Sequence, residues 1–290
     1  MARAAERNPE GTPGDWFVDT ACIDCDASRQ VAPGLIGRDA AGRSIFLRQP
    51  ETDDEIAMAW RAVQVCPTRS VGHVSIRKPE TPAFPQNLGD GVHRLGHNSR
   101  DSFGAHSYLV LRQAGNVMVD APRWTRDVYE PVAELGGISD VLLTHRDDVA
   151  DAERYAERFG ARVWIHADDA AAVPFATDVV DGIEAVAIRP DVMAFPVPGH
   201  TKGSVLWLVD DHLLFSGDSL AWHPRKEQLT AFRTVAWYSW PAQQRSLARF
   251  AASPHRFDRL YPGHGWSHDA PADDLHRLLV ELTDRMLEEA

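Results

Sequence analysis

The sequence predicts an α/β protein of two units: a small α+β unit over residues 16–80 and a large one over residues 92–290, in which two sheets are faced by helices. Three observations carry this. A strand–helix–strand pattern with its own cysteines precedes a stretch rich in proline and glycine. After residue 92, apolar runs of strand length alternate with helical spacing. Four of those runs end in a histidine or an aspartate, which packing alone does not require.

In chain order, residues 1–15 have no apolar run and are expected to be a disordered leader. Trp16 to Asp19 and Ile45 to Arg48 are short strand candidates. Thr52 to Val65 is a helix, with Thr52 as N-cap, Glu55 three residues on, and Ile56, Trp60 and Val63 on a shared face. It ends at Cys66-Pro67, where proline prevents continuation. Val71 to Ile76 is a closing strand, and residues 81–91 are the core of a linker that begins near Pro79. Ser107 to Leu111 and Val117 to Asp120 flank Gly115-Asn116 as a hairpin. Val141 to Thr144 is continuously apolar, so a strand buried on both faces. A helix follows through Val149, Ala152, Ala156 and Phe159 and stops at Gly160. Arg162 to His166 is a strand, Val205 to Val209 and Leu213 to Phe215 form a hairpin, and Gln243 to Phe250 and Asp273 to Met286 are helices.

The strand ends carry the chemistry. The run through Phe195 turns at Pro198-Gly199 and presents His200. Leu213 to Phe215 leads to Asp218, Tyr261-Pro262-Gly263 leads to His264, and Val141 to Thr144 leads to His145. Side chains at strand ends are held rigidly yet open to solvent, as a metal ligand must be. His166 ends another strand and reads as a supporting residue; His106 reads as core or pocket rim.

Taken in order, Asp120, His145 with Asp147, Pro198 to Ser204, Ser216-Gly217-Asp218 and Pro262 to Gly265 resemble the motifs of the metallo-β-lactamase superfamily, over roughly residues 90–290. The resemblance implies an αββα sandwich and a structural role for Asp120. It implies one or two divalent metals (zinc, iron or manganese) on His145, Asp147, His200, Asp218 and His264. Metal-bound water or hydroxide, or a redox metal, would be the reactive group, with His200 and Asp218 at the catalytic centre. The family's second motif, H-x-H-x-D-H, stands here as His145-Arg-Asp-Asp with a single histidine. Asp147 falls on a ligand position in either register; Asp148 and Asp151 are weaker candidates that also suit the N-terminus of the following helix. A carboxylate-rich site fits iron or manganese, and superfamily oxidoreductases of the flavodiiron type also place a carboxylate there.

Cys22, Cys25 and Cys66-Pro67 are similar to a single-cluster bacterial ferredoxin, C-x2-C-x2-C followed at a distance by C-P. Ser28 stands at the third position. The resemblance implies either a three-iron cluster, or a four-iron cluster with Ser28 or another group on one iron, or a fold that has lost its cluster. By itself the Cys-x-x-Cys pair also reads as a zinc half-site or two buried thiols.

Thirty basic against 42 acidic residues leave a net charge of −12, which argues against a phosphate-backbone partner. No apolar run has membrane-span length, and three cysteines without an export-type leader point to the cytoplasm. The expected function is a metal-dependent hydrolase or oxidoreductase acting on a small molecule, with a possible redox partner. The alternative is a non-catalytic electron carrier or interaction protein whose metal and cluster sites are degenerate.

Overall fold

The computed structural model describes residues 1–75 and 83–288. The first unit contains β1 (Trp16–Val18), α1 (Ala27–Val31), β2 (Ile36–Arg38), β3 (Ser44–Phe46), α2 (Asp53–Val65) and β4 (Val71–His73). β1 pairs antiparallel with β4, and β2 with β3. Its core gathers Trp16, Val18, Leu35, Phe46, Ala59, Ala62, Val65 and Cys66. α2 has the expected cap: Thr52 accepts from the Glu55 N–H, and the Glu55 carboxylate accepts from the Thr52 N–H. The buried face differs in part from expectation: Trp60 and Val63 pack against the core, partly buried, but Ile56 does not. Ala59, Ala62 and Val65 point inward while Ile56 is exposed, because small residues let α2 pack closely on α1.

The expected disordered leader is packed instead. Asn8 is buried and donates to Asp39 at 2.6 Å, its N–H bonds Val18 O at 2.8 Å, and Thr12 N–H bonds Phe46 O at 2.9 Å. Backbone pairing to β1 and β3 orders a segment that has no apolar run of its own. The expected linker is also partly structured. Residues 81–82 lie outside the described residues, but Gln86–Gly89 forms a strand, β5, at the edge of the next sheet.

That sheet continues with β6 (Val92–Arg94), β7 (Tyr108–Val110), β8 (Val117–Val119), β9 (Asp140–Leu142), β10 (Arg162–His166) and β11 (Asp178–Val180), in the spatial order β11-β10-β9-β8-β7-β6-β5. A second sheet holds β12 (Val186–Arg189), β13 (Val192–Pro196), β14 (Val205–Val209), β15 (Leu213–Gly217), β18 (Arg259–Pro262) and β19 (His268–Asp269), in the order β12-β13-β14-β15-β18-β19. The chain between β15 and β18 makes the ribbon β16 (Ala221–His223) and β17 (Gln228–Thr230). Val119, Leu142, Val205, Trp207, Phe215 and Tyr261 fill the space between the two sheets.

The outer face of the first sheet is covered by α3 (Arg126–Glu134) and α4 (Ala152–Phe159) through Val128, Val132, Tyr155 and Ala156. The outer face of the second is covered by α5 (Trp240–Ala251) and α6 (Ala272–Glu288) through Leu247, Phe250, Leu275, Leu279 and Leu282. The result is an αββα sandwich. No helix among the described residues is long and apolar enough to cross a membrane.

Candidate metal centre and cysteine site

The sandwich delivers its strand ends to one place. β15 and β18 run parallel, so Asp218 and His264, each just beyond a strand end, lie side by side. The Val205 N–H bonds Thr144 O at 2.8 Å, tying the start of β14, and with it the His200 loop, to the end of β9. The rings of His145 and His200 meet edge to face, with centroids 4.6 Å apart. Two overlapping groups of donors converge, one of His145, Asp147 and His200, the other of His145, Asp148 and Asp218, each with its ligand atoms within 4.8 Å of one another.

Each imidazole is aimed by a bond to its far nitrogen. Thr144 donates its hydroxyl to buried Asp120 and accepts from His145 Nδ1 at 3.0 Å. His200 Nδ1 donates to Val235 O at 2.6 Å. Both Nε2 atoms, together with Asp148 Oδ2, are buried without a hydrogen-bond partner. These atoms belong to the two overlapping donor groups, with carboxylates 3.6–3.9 Å from the imidazole nitrogens, beyond hydrogen-bond distance, and buried polar atoms in that state are costly unless something lies between them. Gly263 makes the room: a Cβ there would come within 2.8 Å of Asp148 Oδ2 and 3.1 Å of Asp218 Oδ1.

The electrostatics agree. Burial, then Asp218 and Asp120, pushes the Asp148 carboxyl well above the usual range. Burial acts the same way on Asp218, but His264, His145 and His200 pull it well below that range. Burial takes His145 down to about 4. His200 is also pulled down by burial, and Asp147 and Asp218 more than offset this, so the ring ends above its ordinary value.

His145, Asp147, His200 and Asp218 are thus brought together as the sequence suggests. His264 is placed differently. Its Nδ1 faces Asp218 at 2.8 Å and its Nε2 faces Phe103 O at 3.4 Å, so it braces Asp218 and joins neither donor group. Asp148, given less weight on the sequence, lies inside the site; Asp151 accepts from the Trp124 N–H and faces away. His166 is held by Gly182 O and the Asp168 N–H. In the sequence Thr144 is one more residue of a strand-like run, and a backbone carbonyl such as that of Val235 leaves no trace in a sequence pattern.

In the first unit, the Ser44 N–H points at Cys22 Sγ at 3.3 Å and the Ser70 N–H at Cys66 Sγ at 3.2 Å. Burial, with Cys66 and Cys22 nearby, pushes the Cys25 thiol up to about 12. Ser28 donates to Ser44 at 3.1 Å, and Arg29 donates to the same hydroxyl at 2.8 Å. Arg123, from the second unit, lies near enough to Cys66 and Arg69 for both to act on its charge. Among the described residues the three sulfurs do not form a group gathered within 4.8 Å. A single zinc ion at about 2.3 Å from each sulfur would hold them closer than that. Backbone N–H groups directed at two of the sulfurs and a nearby guanidinium can stabilise negative charge there.

The two sites share a cavity of about 670 Å³. Asp24, Cys25, Asp26 and Arg38 line it from the first unit; Phe103, Asp147, Asp148, His200, Asp218, Trp237 and His264 line it from the second. A Cβ on Gly104 would lie 2.9 Å from Cys25 Sγ, so the units touch at this point.

Comparison with known proteins finds a likeness for each unit separately. Residues 18–73 match the family described as the 4Fe-4S single cluster domain of ferredoxin I. The chain is 34% identical over 119 residues to a hydroxyacylglutathione hydrolase of Acidiphilium cryptum, which is 40% of this chain and 49% of that protein. It therefore spans about half the length of that curated relative. A metallo-β-lactamase from Erythrobacter litoralis superposes with a TM-score of 0.52 at 16% identity, covering 69% of this chain and 95% of the other. A metallo-β-lactamase from Pseudomonas aeruginosa in its mono-zinc form superposes with a TM-score of 0.50 at 18% identity, covering 69% and 93%. The chain thus joins a segment of the single-cluster 4Fe-4S ferredoxin type to a domain with the metallo-β-lactamase fold.

Proposed function

We propose that the protein is a metal-dependent hydrolase that cleaves an acyl bond in a small molecule, with an iron–sulfur cluster on Cys22, Cys25 and Cys66 of its first unit. The observation that carries the hydrolase reading is the convergence of partnerless His145 Nε2, His200 Nε2 and Asp148 Oδ2 with Asp147 and Asp218. This donor set suits one or two divalent ions, zinc, iron or manganese. An ion held there supplies a Lewis acid that polarises a carbonyl and acidifies water.

The chain's own residues do the rest. Thr144 and Val235 fix the two imidazoles, His264 braces Asp218, and Phe103 and Trp237 line the cavity beside them. The relative named hydroxyacylglutathione hydrolase supports an acyl bond as the target. A second reading, metal-centred redox chemistry fed by the cluster and a redox partner, is favoured by Cys25 lining the same cavity as His200 and Asp218.

The test is an inventory of metal, iron and acid-labile sulfide in anaerobically purified protein, alongside turnover of a thioester and ester panel. The expected result is stoichiometric metal in the second unit, lost together with hydrolysis in His200→Ala and Asp218→Ala. Iron and sulfide are expected in the first unit, lost in Cys66→Ser. Second-unit iron that cycles on reduction, without hydrolysis, selects the redox reading. No recoverable second-unit metal would leave a non-catalytic electron carrier.

A further inference from the structure

The cavity has a floor of donor atoms, but its walls say what enters. Phe103 is 52% exposed and lies 6.1 Å from the His264 ring; Trp237 is 67% exposed and lies 5.8 Å from the His200 ring. Two large, exposed aromatic rings therefore line the cavity beside the donor cluster, one against His264 and the other against His200. Such a pair grips an apolar body.

The first unit supplies the remaining wall, including its polar anchor. Asp24 and Asp26 are both engaged by Arg29, whose Nη2 lies 2.6 Å from Asp24 and whose Nε contacts Asp26. Arg38, at the end of β2, stands beyond hydrogen-bond distance from either, 3.8 Å from Asp24 and 3.6 Å from Asp26. Asp24 and Asp26 are balanced by Arg29 and Arg38, while Asp101, Asp147, Asp148 and Asp218 also line the cavity, and neither neighbouring carboxylate holds the donors of Arg38 at hydrogen-bond distance. Among the described residues, Arg38 is the only lysine or arginine lining it. A guanidinium in this state is suited to forked recognition of a carboxylate.

We infer that the ferredoxin-type unit forms part of the substrate site, and that the substrate is an acyl compound with an apolar body and a remote carboxylate. The apolar body sits between Phe103 and Trp237, the carboxylate meets Arg38, and the scissile carbonyl lies over the donor cluster. The inference deepens the hydrolase reading and rests on it for the reaction, but not for binding.

The experiment uses two thioesters of phenylacetic acid, one with 3-mercaptopropanoate and one with its neutral amide, 3-mercaptopropanamide. It also uses the two matching thioethers, which cannot be hydrolysed. In the metal-loaded wild type, kcat/KM for the acid is expected to exceed that for the amide by about tenfold, mainly through KM, and the thioether affinities should show the same ratio. Arg38→Ala should bring both ratios toward one, Arg38→Lys should keep part of the preference, and Phe103→Ala should weaken acid and amide alike. Thioesters cleaved with no acid preference, or a preference that survives Arg38→Ala, would overturn the inference and leave hydrolysis standing. Thioethers bound with an Arg38-dependent preference while the thioesters stay intact would uphold the site and remove the hydrolase reading.

Discussion

Thr144 is the residue through which the sandwich aims its chemistry. Its hydroxyl donates to Asp120 and accepts from His145 Nδ1, so one side chain fixes both the carboxylate and the ring tautomer. Thr144→Val keeps the shape and removes the hydroxyl's bonds, leaving His145 Nδ1 without its partner, while Asp120 keeps the bond from the Thr144 N–H at 2.8 Å. The expected cost is about 1–3 kcal/mol in stability. Metal affinity should fall by about 10–100-fold, because the imidazole loses its orienting partner. Thermal unfolding and competition with a chelator measure the two effects; an unchanged affinity would mean that His145 is held by packing alone. At this scale the sequence was most legible where a strand ended in a ligand-type residue, as at His145, His200 and Asp218. Asp148 was obscured because an acid before a helix also suits the helix dipole. His264 was obscured because its position says nothing of which way its ring nitrogens turn.

At the scale of elements, the capping box of α2 was fully readable, since Thr52 and Glu55 satisfy each other's backbone within one turn. Thr52→Ala should cost about 1 kcal/mol, seen as faster hydrogen exchange in the first turn of α2. Exchange faster in β9 instead would show that the cap acts on something other than its helix. The same helix shows the limit of periodicity: Ile56 had the right spacing, but alanines form the close contact. α3 is not legible in the sequence because Pro131 lies inside it and interrupts the helical pattern. β5 is not legible either, because it is held by pairing with β6 rather than by a pattern in its own residues.

At the scale of the molecule, neither unit's pattern announced that the two share a cavity, because the contacts join residues far apart in sequence. The seam between them is held in part by His106. Its Nε2 donates to Gln30 Oε1 at 2.6 Å, and its Nδ1 accepts from the Asn98 amide at 3.2 Å. This arrangement needs the neutral ring. A proton on Nδ1 would turn it against the Asn98 N–H, and burial, with Arg94 and His264 nearby, already holds the ring well below its ordinary value. The unfolded chain binds the proton near pH 6.5 and the folded chain resists it. The His106 contribution to stability is therefore complete above about pH 6.5 and is lost as the pH falls toward the lower folded value. Other buried histidines titrate too, His145 in the same sense and His200 in the opposite one, so the observable is a difference. Melting temperatures of wild type and His106→Gln should run parallel above about pH 7 and converge toward pH 5. Limited proteolysis between the units should follow the same course in the wild type and lose its pH dependence in the variant. Curves that stay parallel down to pH 5 would show that the seam does not depend on the charge of His106.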